Sequence, residues 1–274
     1  MKKFIWYFTL IILALFMLVP MLWTITTALS HDTSTVKIQL LPNNPGLENF
    51  INAWNYPSQI EKGITMGRFF FNSLVTCFFI TVLSILTDSM AGYILARKKF
   101  RYRESIFFLS IATMMIPFYV TSIPMFLIVR EFGWINKFYG LIVPFIGSGF
   151  GVYMFRQAFL AIPIQIEEAA KLDGLSDLGI YLRVMLPLIR PTIATMIIFK
   201  AMWSWNIFYW PLLVTNSMDM YTLPLGLTLF KGLNVTRWGL LTAGLTIAVV
   251  PIIALFLIMQ RQFISGLTAG AVKE

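Results

Sequence analysis

The chain is 274 residues long, 58% hydrophobic and only 12% charged, where soluble domains carry about 25% charged residues. That balance excludes an ordinary soluble domain and marks an integral membrane protein. The net charge of +9 is no nucleic-acid signature, because the basic residues sit beside apolar runs and form no soluble basic face.

Lys2 and Lys3 open the chain and an apolar run fills residues 4–29. A signal peptide has a shorter apolar region and a small-residue cleavage site. The run is therefore expected to be an uncleaved first transmembrane helix, long enough for a hydrocarbon core of about 30 Å, with a kink at Pro20. His31 follows and is expected to be solvated. Residues 30–69 form the one sizeable external segment. There the turn-rich Pro42-Asn43-Asn44-Pro45-Gly46 precedes Leu47, Phe50, Ile51 and Trp54. Their helical spacing predicts a short amphipathic helix, at the membrane interface or against an external partner.

Further spans are expected over residues 70–96, 106–129, 138–160, 192–215 and 239–261. The reading is an all-α integral membrane protein with six transmembrane helices, residues 1–274 forming a single transmembrane domain. Lysine and arginine placement sets the orientation. Arg97, Lys98, Lys99, Arg101 and Arg103 crowd the short loop after the second span. That loop lies on the side shared by both termini, so both termini are expected to be cytoplasmic.

Two charges fall inside expected spans. Asp88 lies eight residues before Ala96, and Lys200 eight residues after Thr192. At 1.5 Å per residue both lie about 12 Å into the membrane from the same face. A lone charge at that depth is costly. Either the two face each other or a shared water-filled path, or Lys200 snorkels to the interface and Asp88 meets another polar group.

The sequence also excludes several chemistries. It contains no G-x-x-x-x-G-K-[ST] phosphate loop, so this chain does not hydrolyse ATP by that route. Gly147-Ser148-Gly149-Phe150-Gly151 follows no strand, and close helix packing through small residues is its expected role. No Cys, His, Asp and Glu cluster has metal spacing, and no nucleophile has its partners. Cys77 is the single cysteine and forms no intrachain disulfide.

Residues 161–191 read AIPIQIEEAAKLDGLSDLGIYLRVMLPLIRP and are the long polar interruption of the second half. Pro163 suits a helix start, and Glu167 and Glu168 follow where the helix dipole favours negative charge. Ile166, Ala169, Ala170 and Asp173 share related turns. Gly174 supplies a left-handed stop, and Ser176 can cap a second helix. That second helix carries an apolar stripe of Leu178, Tyr181, Leu182, Met185 and Leu186. The pattern fits a helix that docks into a partner's groove and equally an ordinary amphipathic connector.

Glu168-Ala169-Ala170, Asp173-Gly174, Leu186-Pro187 and Pro191 resemble the EAA loop of permease subunits of bacterial ABC importers. The likeness continues in order along most of the chain. It includes Ala91-Gly92-Tyr93 with Ala96-Arg97, Trp205-Asn206 with Trp210-Pro211, Tyr221-Thr222-Leu223-Pro224 with Trp238-Gly239, and the tail Gly266 to Lys273. It is similar to the shorter permease subunit of carbohydrate importers such as the maltose transporter.

The resemblance implies a type I ABC importer permease fold in a bacterial cytoplasmic membrane. It implies a second, longer permease subunit, two ATPase subunits that use ATP and magnesium, and an extracytoplasmic solute-binding protein. No cofactor is bound by this chain. Glu167, Glu168, Ala169, Ala170, Asp173 and Gly174 would form the coupling contact with the ATPase. Gly266, Gly270 and Lys273 would reach the same subunit. Trp205 and Asn206 would line the sugar path, while Trp210 would be a membrane-belt residue. The family usually has small or uncharged residues where Asp88 and Lys200 stand, so that pair departs from its pattern. A non-sugar solute such as a glycerol phosphate, or secondary transport through Asp88 and Lys200, is the alternative.

Overall fold

The computed structural model describes residues 2–30, 42, 44–232 and 236–271, and of these Lys2 and residues 261–271 by backbone alone. Helix α1 is Lys2–Leu29 and α2 is Glu48–Asn55. Helix α3, Met66–Arg97, is the long central helix. Then follow α4 (Arg103–Ala112), α5 (Phe118–Glu131), α6 (Phe138–Ile142) and α7 (Gly149–Leu160). The chain continues through α8 (Ile164–Leu172), α9 (Asp177–Ile180), α10 (Arg190–Asn206), α11 (Tyr209–Val214) and α12 (Trp238–Ala271). One-turn segments connect several of them. Among the described residues there is no strand, only an isolated bridge between Lys231 and Thr236.

Among the described residues, three helices are long and apolar enough to cross a membrane: Lys3–Leu29, Met66–Arg97 and Trp238–Gln260. The remaining expected spans overlap bent pairs of helices, the third of which begins in the polar loop of residues 161–191. Arg103–Met115 meets Phe118–Glu131 at 103°, Phe138–Phe145 meets Gly149–Leu160 at 45°, and Asp177–Leu188 meets Arg190–Asn206 at 80°. Counting each pair as one span gives six.

The bends have local causes. Pro117 precedes α5 and forces Ile116 into an extended conformation, with φ −89° and ψ 118°, because a residue before proline is pushed out of the helical region. Ser148 before α7 is likewise extended, at φ −149° and ψ 137°. Pro191 occupies the first turn of α10, where its missing N–H costs nothing. Segments 106–129, 138–160 and 192–215 are thus not continuous helices. The last breaks at Ile207, which is extended beyond Asn206, and the 80° bend at Ile189 lies just before that segment.

The chain divides into two compact units, one of residues 1–72 with 217–253, the other of residues 73–216 with 254–274. In the first unit the Asn49 side-chain amide donates to Ala28 O (3.0 Å) and Ser30 O (2.8 Å), satisfying carbonyls at the end of α1 that have no helical partner. Asn72 donates to Asp219 O (2.7 Å) and Tyr221 O (3.0 Å), joining the start of α3 to the 218–226 turn. Helix α2 forms where the apolar spacing predicts it. The second unit holds a core of Tyr93, Phe155, Phe159, Ala170, Ile180, Tyr181, Met185 and Met196. This core gathers α3, α7, α8, α9 and α10.

Candidate functional site

Helix α8 is built by its ends. Pro163 stands just before it with φ −57° and ψ 137°. At the far end Gly174 takes φ +81°, its N–H donates to Lys171 O (3.0 Å), and Leu175 N–H donates to Ala170 O (3.1 Å). That pair of bonds is a Schellman stop, which needs a residue free to adopt the left-handed region. Ser176 then caps the next helix, its hydroxyl accepting from Gly179 N–H at 3.3 Å.

The helix has two faces. Glu167 and Ala170 point inward, and Ala170 belongs to the core. Glu168, Ala169, Leu172, Asp173 and Gly174 are exposed, and Leu172 is 90% exposed. An apolar side chain so open beside a carboxylate and a small residue makes a face able to enter a groove. Six residues of the loop are expected to touch a partner. Two of the six, Glu167 and Ala170, face this chain's own core in this arrangement and lie off the exposed face.

Glu167 has a different task. Its carboxylate lies 3.8 Å from Arg97 Nε, 4.0 Å from Lys98 Nζ and 3.4 Å from Lys171 Nζ, and it accepts from the Tyr93 hydroxyl at 3.4 Å. Arg97 also donates to Phe159 O at 2.6 Å and to Ile162 O. Lys98 donates to Asp177. The last turn of α3 therefore holds the end of α7, the base of α8 and the start of α9 together. One turn earlier, Ser89 shares a 2.7 Å hydrogen bond with the Tyr181 hydroxyl.

Further along α3, Asp88 and Lys200 are 3.8 Å apart, their side chains 2% and 11% exposed. Asp88 has closer partners as well. Ser148 N–H donates to Oδ1 and Ser148 Oγ–H donates to Oδ2, both at 2.8 Å, while Ser148 Oγ accepts from Gly151 N–H at 3.0 Å. Asp88 thus reaches the N-terminus of α7, where negative charge is favoured. A Cβ on Gly151 would stand 1.9 Å from Asp88 Oδ2. The glycine motif is not only helix packing, as expected from sequence. It also clears the space that admits the Asp88 carboxylate.

A cavity of about 310 Å³ lies beside this group, lined by Phe145, Gly147, Ser148, Phe150, Met196, Phe199, Lys200 and Trp203. Of the two residues expected on a sugar path, Trp205 is 3% exposed and offers no open ring. Asn206 is exposed, and its amide donates to Met202 O of its own helix at 2.7 Å. Trp203, 44% exposed, borders the cavity instead. Trp210 is fully buried, with its indole N–H donating to Gly140 O at 2.8 Å, so it is an internal anchor and not a belt residue. Gly266 and Gly270 lie on the last turns of α12, described by backbone alone. Lys273 and His31 lie outside the described residues.

Sequence reasoning missed Ser148 and the anchoring role of Glu167, and it chose Trp205 over its neighbour Trp203. Ser148 had a signal, since a serine before a helix start is an N-cap. Glu167 had one too, because helical spacing puts it on the face of Ala170 and opposite Ala169.

The family model for the inner membrane component of binding-protein-dependent transport systems matches residues 88–268. The chain is 37% identical over 262 residues to the arabinooligosaccharides transport system permease protein AraQ of Bacillus subtilis (strain 168), covering 95% of this chain and 92% of that one. It superposes, with a TM-score of 0.83 and 22% identity over 96% of each chain, on a chain of a bacterial ABC transporter involved in import of the acidic polysaccharide alginate. A second alginate transporter structure, in complex with a periplasmic protein bound to an alginate pentasaccharide, matches with a TM-score of 0.64 and 16% identity, over 94% of this chain and 93% of that one. The structural likeness is one of fold, that of a type I ABC importer permease. With the family match over most of its length, the chain belongs to the family of binding-protein-dependent transport system inner membrane components.

Proposed function

We propose that the chain is the shorter permease subunit of an ATP-driven importer for a sugar or oligosaccharide. A second permease subunit completes the path, an extracytoplasmic binding protein delivers the solute, and two ATPase subunits, using ATP and magnesium, drive the cycle. In this reading both termini and α8 lie on the cytoplasmic side, which the basic loop after α3 supports.

The observation that carries this reading is the division of labour on α8. Leu172, Glu168, Ala169 and Asp173 are free on the outer face, while Glu167 ties the inner face to Arg97 at the end of α3. A helix held so firmly on one side passes displacement of the other side to the span that holds it. When the ATPases close, α8 moves with its groove, and α3 moves with α8. The sugar assignment rests on the arabinooligosaccharide relative, which matches along nearly the full length of both chains.

The test is reconstitution. Proteoliposomes carrying the four-subunit complex are assayed for uptake of arabinotriose and maltotriose. Uptake that needs both ATP and the binding protein supports the proposal. Uptake driven by an ion gradient without ATP contradicts it.

A further inference from the structure

Among the described residues, Lys200 is the one charged residue on the wall of the 310 Å³ cavity. Its ammonium carries three N–H donors. Among the described residues it meets only Asp88, at 3.8 Å, beyond hydrogen-bond length. Asp88 stands behind it and does not line the cavity. The three donors are therefore left for something in the cavity. Buried donors without acceptors are costly. Ser148 is the one other polar side chain among the described wall residues, and its hydroxyl is engaged with Asp88 and Gly151, while Phe145, Phe150, Met196, Phe199 and Trp203 are apolar there.

The charge balance narrows the occupant. Both Asp88 oxygens accept hydrogen bonds from Ser148, which favours the carboxylate form, and as a pair Asp88 and Lys200 carry opposite charges or none. Asp88 and Lys200 therefore cancel. An anionic ligand would bring a second negative charge close to Asp88 in a low-dielectric site, where like charges repel strongly. A hydroxyl oxygen accepts from the ammonium without that penalty. The volume lies at the small end of ligand pockets, which run from about 300 to 1,000 Å³. It suits one ring of a larger molecule. The bordering Trp203, packed edge-on to Phe145 at 4.9 Å, gives that ring an apolar face to lie on.

We propose that this cavity is a binding subsite for one ring of a neutral, polyhydroxylated solute, with Lys200 donating to ring hydroxyls and Trp203 as the apolar platform. This deepens the sugar-importer reading and rests on it. Lys200 is then a specificity residue, and Asp88 and Ser148 position it.

The test uses the whole transporter in nanodiscs. Lys200 is labelled with a small water-soluble amine reagent and followed by mass spectrometry, with arabinotriose, maltotriose or the acidic trisaccharide trigalacturonate present. Whichever neutral trisaccharide is taken up should slow labelling of Lys200 at least threefold, and trigalacturonate should slow it less. Lys200→Met should raise KM for that solute about tenfold, and Lys200→Arg should restore most of the loss. Three results would overturn the subsite: no labelling in any nucleotide state, no protection by a neutral trisaccharide that is taken up, or stronger protection by trigalacturonate. Uptake without protection removes the subsite and leaves the sugar importer standing. Neither uptake nor protection removes both.

Discussion

Glu167 and Arg97 oppose each other at 3.8 Å, with side chains only 2% and 6% exposed. Neither Glu167 Oε2 nor Arg97 Nε has a hydrogen bond in this arrangement, so the link between α8 and α3 through these atoms is electrostatic and buried. Removing one partner of a buried pair costs up to about 3–5 kcal/mol, and less where other charges remain, as Lys171 at 3.4 Å and Lys98 at 4.0 Å do for Glu167 when Arg97 is lost. Glu167→Ala and Arg97→Met should each lower the thermal midpoint of the purified complex strongly. The double variant should lose less than the two losses added. Strict additivity would show that the residues do not act together.

Asp88 and Lys200 follow the same logic deeper in the second unit. Asp88→Asn and Lys200→Met should each impair assembly of the complex, measured as the yield of intact transporter. The double variant should recover part of it, because no buried charge then stands alone. Independent losses would contradict the pairing seen at 3.8 Å.

Gly151 and Gly147 give a paired comparison. A Cβ at Gly151 would lie 1.9 Å from Asp88 Oδ2, whereas one at Gly147 would lie 3.9 Å from Oδ1, an ordinary contact. Gly151→Ala should therefore destabilise the protein by about 1–3 kcal/mol, as overpacking does. Gly147→Ala should be far milder. The Gly151 loss should shrink in an Asp88→Ser background, where the carboxylate is gone. Thermal midpoints of the four variants decide it, and equal losses at the two glycines would contradict the packing.

Asp177 sets a pH dependence in the loop outside the spans. The hydrogen bond from Lys98, aided by its charge and that of Lys171, holds the Asp177 carboxyl below its ordinary value. A carboxyl depressed in the folded state adds stability above its unfolded pKa of about 3.9, and loses it as pH falls through the folded value. The difference in thermal midpoint between wild type and Asp177→Asn should be constant from pH 7 to 5 and shrink below about pH 4. A difference that instead shrinks between pH 7 and 5 would contradict the assignment.

Much of this was legible in the chain itself. The apolar runs gave the long helices because length and hydropathy suffice for a continuous span. Gly174 and Ser176 marked the ends of α8 and the start of α9, since their turn and capping chemistry is local. Depth put Asp88 and Lys200 at one level and left open whether they pair. The bends at Ile116, Ser148 and Ile189 were not legible as bends, because proline and glycine are also tolerated inside transmembrane helices. Side-chain direction was the larger loss. A helix of nine residues shows its period but not which face the core takes, so Glu167 and Ala170 were grouped with residues that point the other way. Trp203 and Trp205 differ in the same manner. Two aromatics separated by one residue lie on different faces of a helix, and only the packing of α10 decides which one borders the cavity.

The central claim is that the outer face of α8 docks into an ATPase. Site-directed disulfide crosslinking tests it most directly. With Cys77→Ser as background, Ala169→Cys and Leu172→Cys place thiols on the exposed face, and Ala170→Cys places one in the core. Each is combined with single cysteines along the facing groove of the co-purified ATPase. Crosslinks from 169 and 172 should form and change with ATP, and none should form from 170. No crosslink from 169 or 172 under any nucleotide, or equal crosslinking from 170, would contradict it.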